Sequence, residues 1–156
     1  MKIERRNRVV PRGRNGSRDR YRKRTRDELV TLLAPWMRIE SRTKSELLIR
    51  EGDEATTVFL ILEGSCRITA RSLRGECLQL GVRRRREILG LAPLFLASKH
   101  QTTAQLVRDS IVGRVARKDL IRLFESNSDV RLRILALLSE DLAGSHDVIR
   151  SLAAAA

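Results

Sequence analysis

The sequence predicts a mainly β protein with flanking helices: a double-stranded β-helix, or jelly-roll barrel, followed by a long C-terminal helix. Three observations support this. Short runs of strand-forming residues alternate with turn residues, an acidic turn is centred on Gly52, and a long apolar-periodic segment begins near Ser128. Because 156 residues can bury one core of ordinary size, we expect a single domain with tails.

The acidic turn lies between two strand-like runs within residues 47–64. Glu51, Gly52 and Asp53 form it, and a glycine beside an aspartate tolerates the left-handed backbone of a tight turn. The apolar run that follows, residues 58–62, prefers an extended chain. We therefore predict a β-corner inside the barrel.

The remaining elements follow from the same two signals. A short helix from Asp27 should end before Pro35, and a second helix over residues 116–127 should precede the C-terminal helix, for which Ser128 is a plausible N-cap. The predicted strands are residues 36–41, 47–49, 58–62, 65–71, 76–82, 103–107 and 110–115.

The first 26 residues carry most of the charge. Twelve of them are basic and two are acidic, whereas the whole chain has a formal charge of +13, so the rest of the chain is close to neutral. Their few apolar residues follow no period, and we expect disorder. If this tail binds nucleic acid, the contacts should be non-specific and to phosphates, because Tyr21 is its single aromatic residue. The candidate residues are Arg5, Arg6, Arg12, Arg14, Arg22, Lys23 and Arg24.

No apolar run approaches the roughly 18 residues needed to span a bilayer, and the basic N-terminus lacks a secretory apolar segment. We expect a cytoplasmic protein with no membrane partner.

The two cysteines, Cys66 and Cys77, lie on neighbouring predicted strands. If Ala70 pairs with Cys77, Cys66 lies opposite Gly81, and the two thiols are about 13 Å apart, too far for a disulfide.

The C-terminal helix carries an a/d-type apolar seam, which favours a partner helix and predicts a homodimer. The alternative is that the seam only packs on its own barrel. A second apolar face on the same helix, formed by Val130, Leu132, Ile134 and Leu137, would suffice for that packing. The seam residues are Leu135, Leu138, Leu142, Ser145, Ile149 and Leu152.

The order of these elements resembles the cyclic-nucleotide-binding domain of Crp/Fnr-type regulators over about residues 27–152. The motifs that carry the resemblance are REGD at residues 50–53, LEG at residues 62–64 and LG at residues 89–90. The resemblance implies a jelly-roll sensor domain, and it implies a ligand site in a short helical cassette after Gly90.

In that family a Gly-Glu pair opens the cassette and an Arg-Ser/Thr-Ala follows it, so that the arginine and the helix N-terminus hold the phosphate and the glutamate holds the ribose hydroxyl. Here the Glu position is Leu91, and the Arg and Ser positions are His100 and Gln101, within a shift of one or two residues. No arginine lies between Glu87 and Arg108. We expect no cofactor and no useful cyclic nucleotide affinity. The predicted ligand-site residues are Gly90, Leu91, Ala92, His100, Gln101 and Thr102.

Four consecutive arginines, residues 83–86, precede the cassette. They are either a relocated site for another anionic ligand or a solvated basic loop, and the second interpretation is favoured because a charge run is usually a solvated face. Other chemistry is sparse. His100 and His146 have no metal-ligand spacing, and no serine lies in a nucleophile motif, so we expect neither a metal site nor an enzyme.

These observations divide the chain into a basic tail (1–26), a barrel domain (27–127) and a dimerisation helix (128–152). The favoured function is a Crp/Fnr-like regulator relative that lacks the helix-turn-helix, either a truncated regulator or a stand-alone sensor. The alternative is a dimeric nucleic-acid-binding accessory protein that acts through its tail. A third possibility is that the tail is an upstream extension with no role.

Overall fold

The computed structural model describes the backbone of residues 16–154 and the side chains of residues 16–142 and of Arg150. Two four-stranded antiparallel sheets form a jelly roll, with strand orders β1-β8-β3-β6 and β2-β7-β4-β5. The strands are β1 (Arg38–Arg42), β2 (Leu47–Ile49), β3 (Thr57–Glu63), β4 (Ser65–Arg71), β5 (Cys77–Arg84), β6 (Ile88–Leu89), β7 (Thr103–Leu106) and β8 (Ser110–Ala116). The helices are α1 (Gly16–Leu33), α2 (Leu91–Phe95), α3 (Arg117–Ser126) and α4 (Ser128–Ala154), and a 3-10 helix spans Ala34–Trp36.

Strand β3 is apolar on both faces because it lies between two cores. Successive side chains of a strand point to opposite faces. Val58 and Leu60 therefore pack in the core shared with α1, α3 and α4, whereas Phe59 and Ile61 pack in the core between the two sheets. The continuous apolar run that predicted this strand thus reflects burial on both sides.

The prediction of disorder up to Arg26 is wrong for residues 16–26, because α1 begins at Gly16. The polar sequence has no helical apolar period there, and the helix is held by contacts that the tail sequence alone does not display. Thr25 and Leu29 are buried, and Arg22 pairs with Glu140 of α4. Arg24 also pairs with Glu28 at i,i+4 spacing. Residues 1–15 lie outside the described residues.

The predicted pairing of β4 with β5 is wrong by one residue. Ala70 lies opposite Leu78, and a bulge between Ile68 and Thr69 shifts the ladder further, so that Cys66 lies opposite Arg83 instead of Gly81. An extra residue in one strand produces this change and is not visible in the apolar pattern. Both cysteines are nevertheless free, as predicted, with Cys66 buried and Cys77 exposed.

Helix α4 presents its two apolar faces differently from the prediction. Val130, Ile134 and Leu137 are buried in the helix-side core as expected, but Leu132 is 64% exposed.

Helix α4 also begins with a different N-cap from the predicted one. The side-chain oxygen of Asn127, not that of Ser128, accepts hydrogen bonds from the backbone N–H groups of Asp129 and Val130.

Candidate functional site

The corner at Gly52 fastens the end of the cassette to the barrel. Gly52 adopts a φ of +92°, which favours glycine. Its backbone N–H donates to the carbonyl oxygen of His100 at 2.8 Å, and the His100 N–H donates to the carbonyl oxygen of Asp53 at 2.9 Å. The N–H of Ala55 donates to Ser98 in the same way. The acidic turn that predicted a β-corner therefore fixes the position of residues 98–100.

Next to these backbone hydrogen bonds, the His100 ring lies against Gly90. Gly90 precedes α2 with a φ of +86°. A Cβ atom at this position would lie 3.2 Å from Cε1 of His100 and 3.4 Å from Cδ1 of Ile49. Glycine is therefore required here by both backbone conformation and space.

His100 is buried, with 8% of its surface exposed. Burial lowers the pKa of its imidazole because it disfavours the charged form, and the carboxylate of Asp53 opposes this only partly. A histidine with a lowered pKa is neutral at pH 7. That this uncharged ring occupies the position of the family's cationic arginine stays a prediction.

A cavity of about 320 Å³ opens beside this histidine and brings together all six predicted ligand-site residues. Binding by these residues stays a prediction. Leu91, at the position where the resemblance implies a glutamate, is buried in the helix-side core and also lines the cavity. The sequence-based prediction missed most of the apolar wall, which includes Ile49, Ile68, Leu80, Leu89, Pro93 and Leu96.

Two of the missed cavity residues differ in whether the sequence could have indicated them. Ile68 belongs to the core between the sheets, and the alternation along β4 could have indicated that it points inward. Asp141, in contrast, reaches the cavity from α4. Its position depends on how a distant helix packs on the barrel, which no local pattern reports.

The four arginines of residues 83–86 do not form a uniformly solvated loop, which corrects the favoured interpretation. Arg85 donates through Nε to the carbonyl oxygen of Leu62 at 3.2 Å. Arg86 pairs with Asp27 of α1 at 2.7 Å, and Arg84 is exposed. Only Arg83 of the four lines the cavity.

Ion pairs join α1 to the wall of this site and to α4. Arg26 lies 3.3 Å from a carboxylate oxygen of Glu87, which precedes β6, and Arg133 of α4 lies 2.6 Å from Glu28. These pairs are partly exposed, so each contributes modestly. Together with the buried side chains of α1, they attach α1 to the barrel and to α4.

No group of three or more histidine, cysteine, aspartate or glutamate side chains suited to a metal ion occurs in the part of the chain that the structure describes. Within the same residues, no helix has both the length and the apolar character required to cross a bilayer.

The two antiparallel sheets, the corner at Gly52, the cassette after Gly90 and the C-terminal helix define a jelly-roll domain. Residues 39–127 match the sequence profile of the family described as "Cyclic nucleotide-binding domain". Because this match covers more than half of the chain, the protein belongs to that family, and the resemblance to Crp/Fnr-type domains is confirmed.

Solved structures agree with this fold. The Catabolite Activator Protein of Thermus thermophilus superposes with a TM-score of 0.73 at 21% identity, covering 81% of this chain and 59% of that one. A cyclic nucleotide-binding domain from Methylobacillus flagellatus KT gives a TM-score of 0.72 at 18% identity, covering 85% and 84%. At these identities the similarity shows the fold alone.

Among curated proteins, patatin-like phospholipase domain-containing protein 7 of Rattus norvegicus is 26% identical over 110 residues. The aligned region is 70% of this chain and 8% of that protein. The chain therefore spans a small part of the curated relatives that it matches.

The contact between Gly90 and His100 is testable by a double-mutant cycle. We expect Gly90→Ala to reduce the free energy of unfolding by about 1–3 kcal/mol through backbone strain and crowding. Removing the ring should relieve the crowding, so Gly90→Ala combined with His100→Ala should cost about 0.5 kcal/mol or more less than the sum of the single changes. Urea unfolding measures all four proteins.

Gly75→Ala is the matched control, because Gly75 also has a positive φ of +80° but nothing within 4 Å of an added Cβ atom. Its effect should add to that of His100→Ala. Additivity of the Gly90 and His100 changes, within about 0.3 kcal/mol, would contradict the contact.

Proposed function

We propose that this protein is a Crp/Fnr-like regulatory module, a non-enzymatic relative of transcription regulators, whose cavity responds to a ligand other than cyclic AMP or cyclic GMP. The observation that carries the proposal is that two residues beside Gly90 are buried: Leu91, which follows it in the chain, and His100, whose ring lies against it. The family resemblance assigns a carboxylate and a guanidinium to these positions.

The energetic consequence is large. A phosphate drawn into the cavity without its arginine lacks a charged partner, and losing one partner of a buried ion pair costs about 3–5 kcal/mol. At about 1.4 kcal/mol per tenfold change, affinity falls by roughly two to three orders of magnitude. Leu91 adds to the loss because it leaves the ribose hydroxyl unpaired.

Isothermal titration calorimetry with cyclic AMP and cyclic GMP tests this proposal on three proteins. We expect no low-micromolar binding by the wild type and a gain of binding in Leu91→Glu combined with His100→Arg. The third protein is Arg83→Gln, chosen because Arg83 lines the cavity whereas Arg86 pairs with α1. Wild-type binding that disappears in Arg83→Gln would mean that Arg83 replaces the family's charge.

We also propose that the module forms a homodimer through α4. Leu132, Leu135 and Leu142 are 64%, 46% and 60% exposed, and their spacing places them on one side of the helix. Leu138 instead packs against the helix-side core, so the seam predicted from sequence turns outward only in part. The side chains of Ser145, Ile149 and Leu152 lie outside the described residues.

Leu142→Asp should convert this dimer to a folded monomer, because it places a charge in a desolvated seam. Size exclusion with light scattering measures the mass. Leu73→Asp is the control, because Leu73 is fully exposed in the turn after β4, and it should leave the dimer intact. A wild type that is monomeric at roughly tens of micromolar would rule out this interface.

A second candidate function is non-specific nucleic-acid binding, which is favoured by the exposed basic side chains of α1. Arg18, Arg20 and Lys23 are exposed, whereas Arg22, predicted to bind nucleic acid, pairs with Glu140. Arg24 remains 81% exposed despite its pair with Glu28. Arg5, Arg6, Arg12 and Arg14 lie outside the described residues.

Replacing Arg18, Arg20 and Lys23 together by glutamine should weaken binding to random-sequence DNA and lower the salt slope by about 0.9 per lost phosphate contact. The control removes the same charge from the β4–β5 hairpin, through Arg67, Arg71 and Arg74→Gln, all exposed positions. Fluorescence anisotropy at several salt concentrations measures both. Equal losses in the two variants would show that net charge, not α1, determines the binding.

A further inference from the structure

Arg83 is the one arginine of residues 83–86 that lines the cavity. Among the described side chains it forms no ion pair, while Arg86 and Arg26 next to it are paired with carboxylates. Its guanidinium interacts electrostatically with the thiol of Cys66, on the neighbouring strand. Burial raises the pKa of that thiol to about 11, so the thiol is neutral. Asp141 lines the same cavity, and Glu87 and Glu140 line an adjacent cleft together with Arg83.

One wall of the cavity suits the body of an apolar molecule. Ile49, Ile68 and Leu89 are buried side chains of the inter-sheet core that line it, and the volume of about 320 Å³ is at the lower end for small-molecule sites. Part of the remaining lining is polar and includes Ser98, Gln101 and Thr102. Two further charged residues line the cavity, Lys99 and Asp141, and both are exposed.

We propose that the cavity binds a small apolar carboxylic acid, with its carboxylate on Arg83 and its acyl or aryl body against Ile49, Ile68 and Leu91. A guanidinium matches a carboxylate through two parallel hydrogen bonds, so one arginine suffices to hold such a group. The neutral His100 contributes to an uncharged wall beside it. This inference rests on the proposed function, since it gives a ligand class to the site that has lost its cyclic nucleotide contacts.

Calorimetry with three probes tests the ligand class on the full chain: octanoate for an acyl body, 3-phenylpropionate for an aryl body, and 1-octanol as the neutral counterpart of octanoate. We expect at least one carboxylate to bind saturably with a Kd below about 1 mM, and octanol to bind at least roughly tenfold more weakly than octanoate if the body is acyl. The stronger of the two carboxylates identifies the body.

Variants of two neighbouring arginines test the anchor. Arg83→Gln should weaken carboxylate binding by at least roughly tenfold and leave octanol binding unchanged. Arg84→Gln, an exposed position outside the cavity lining, should change neither. Lys99→Gln should retain carboxylate binding, and a loss there without a loss in Arg83→Gln would overturn the choice of anchor.

The ligand class is overturned if neither carboxylate saturates below roughly 10 mM, or if octanoate saturates and octanol binds to the wild type as tightly. The second comparison needs no variant, so it decides the matter even if Arg83→Gln does not fold. Failure of the proposed function is a separate result, namely low-micromolar binding of cyclic AMP or cyclic GMP to the same wild-type preparation.

Discussion

The hydrogen bonds between the Gly52 corner and His100 are the constraint on which the candidate site depends. Two backbone bonds, from Gly52 to His100 and from His100 to Asp53, join the corner to the end of the cassette. These bonds fix the backbone position of residue 100. The side chain at residue 100 is a buried imidazole that lies against Gly90. The fold of the family is thus retained, with a buried imidazole beside Gly90.

A second layer of contacts connects this site to the helices. Strand β3 separates the inter-sheet core, which forms the apolar wall, from the helix-side core, which holds α1 and α4. Leu91 belongs to the helix-side core and lines the cavity as well. Asp141 of α4 lines the same space. A ligand that changes the packing of Leu91 therefore acts directly on the surface where α4 rests, which is a physical route from the cavity to the proposed dimer helix.

Much of the fold could be predicted from sequence because the strands are short, apolar and separated by glycine turns. The corner, seven of the eight strands that the structure describes and the helix after Asn127 follow from local patterns, whereas the two-residue strand β6 is not predicted. The start of α1 could not be predicted in this way, because Arg22 and Glu28 find their partners on α4. The register of β4 and β5 depends on a bulge that leaves no mark in the apolar period.

The sequence could predict several residues that line the cavity, but not the charges and contacts around them. All six residues named from the cassette line one cavity, because the family resemblance carried their positions. The different partners of the four arginines at residues 83–86 could not be predicted from four consecutive basic residues. Asp27 and Leu62 engage two of them, and both partners are distant in the sequence. Only the fold distinguishes Arg83 from its neighbours.

The titration of His100 by NMR tests most directly whether an uncharged residue has replaced the family's cation. Because burial lowers the pKa of the imidazole in the folded protein, its resonance should titrate below the ordinary value of 6.5. The neutral ring then contributes stability that is fully present above the unfolded pKa and is lost as the pH falls through the folded pKa. A pKa at or above 6.5 in the folded protein would contradict this account, because His100 would then carry a positive charge under mildly acidic conditions and could serve as the missing phosphate partner.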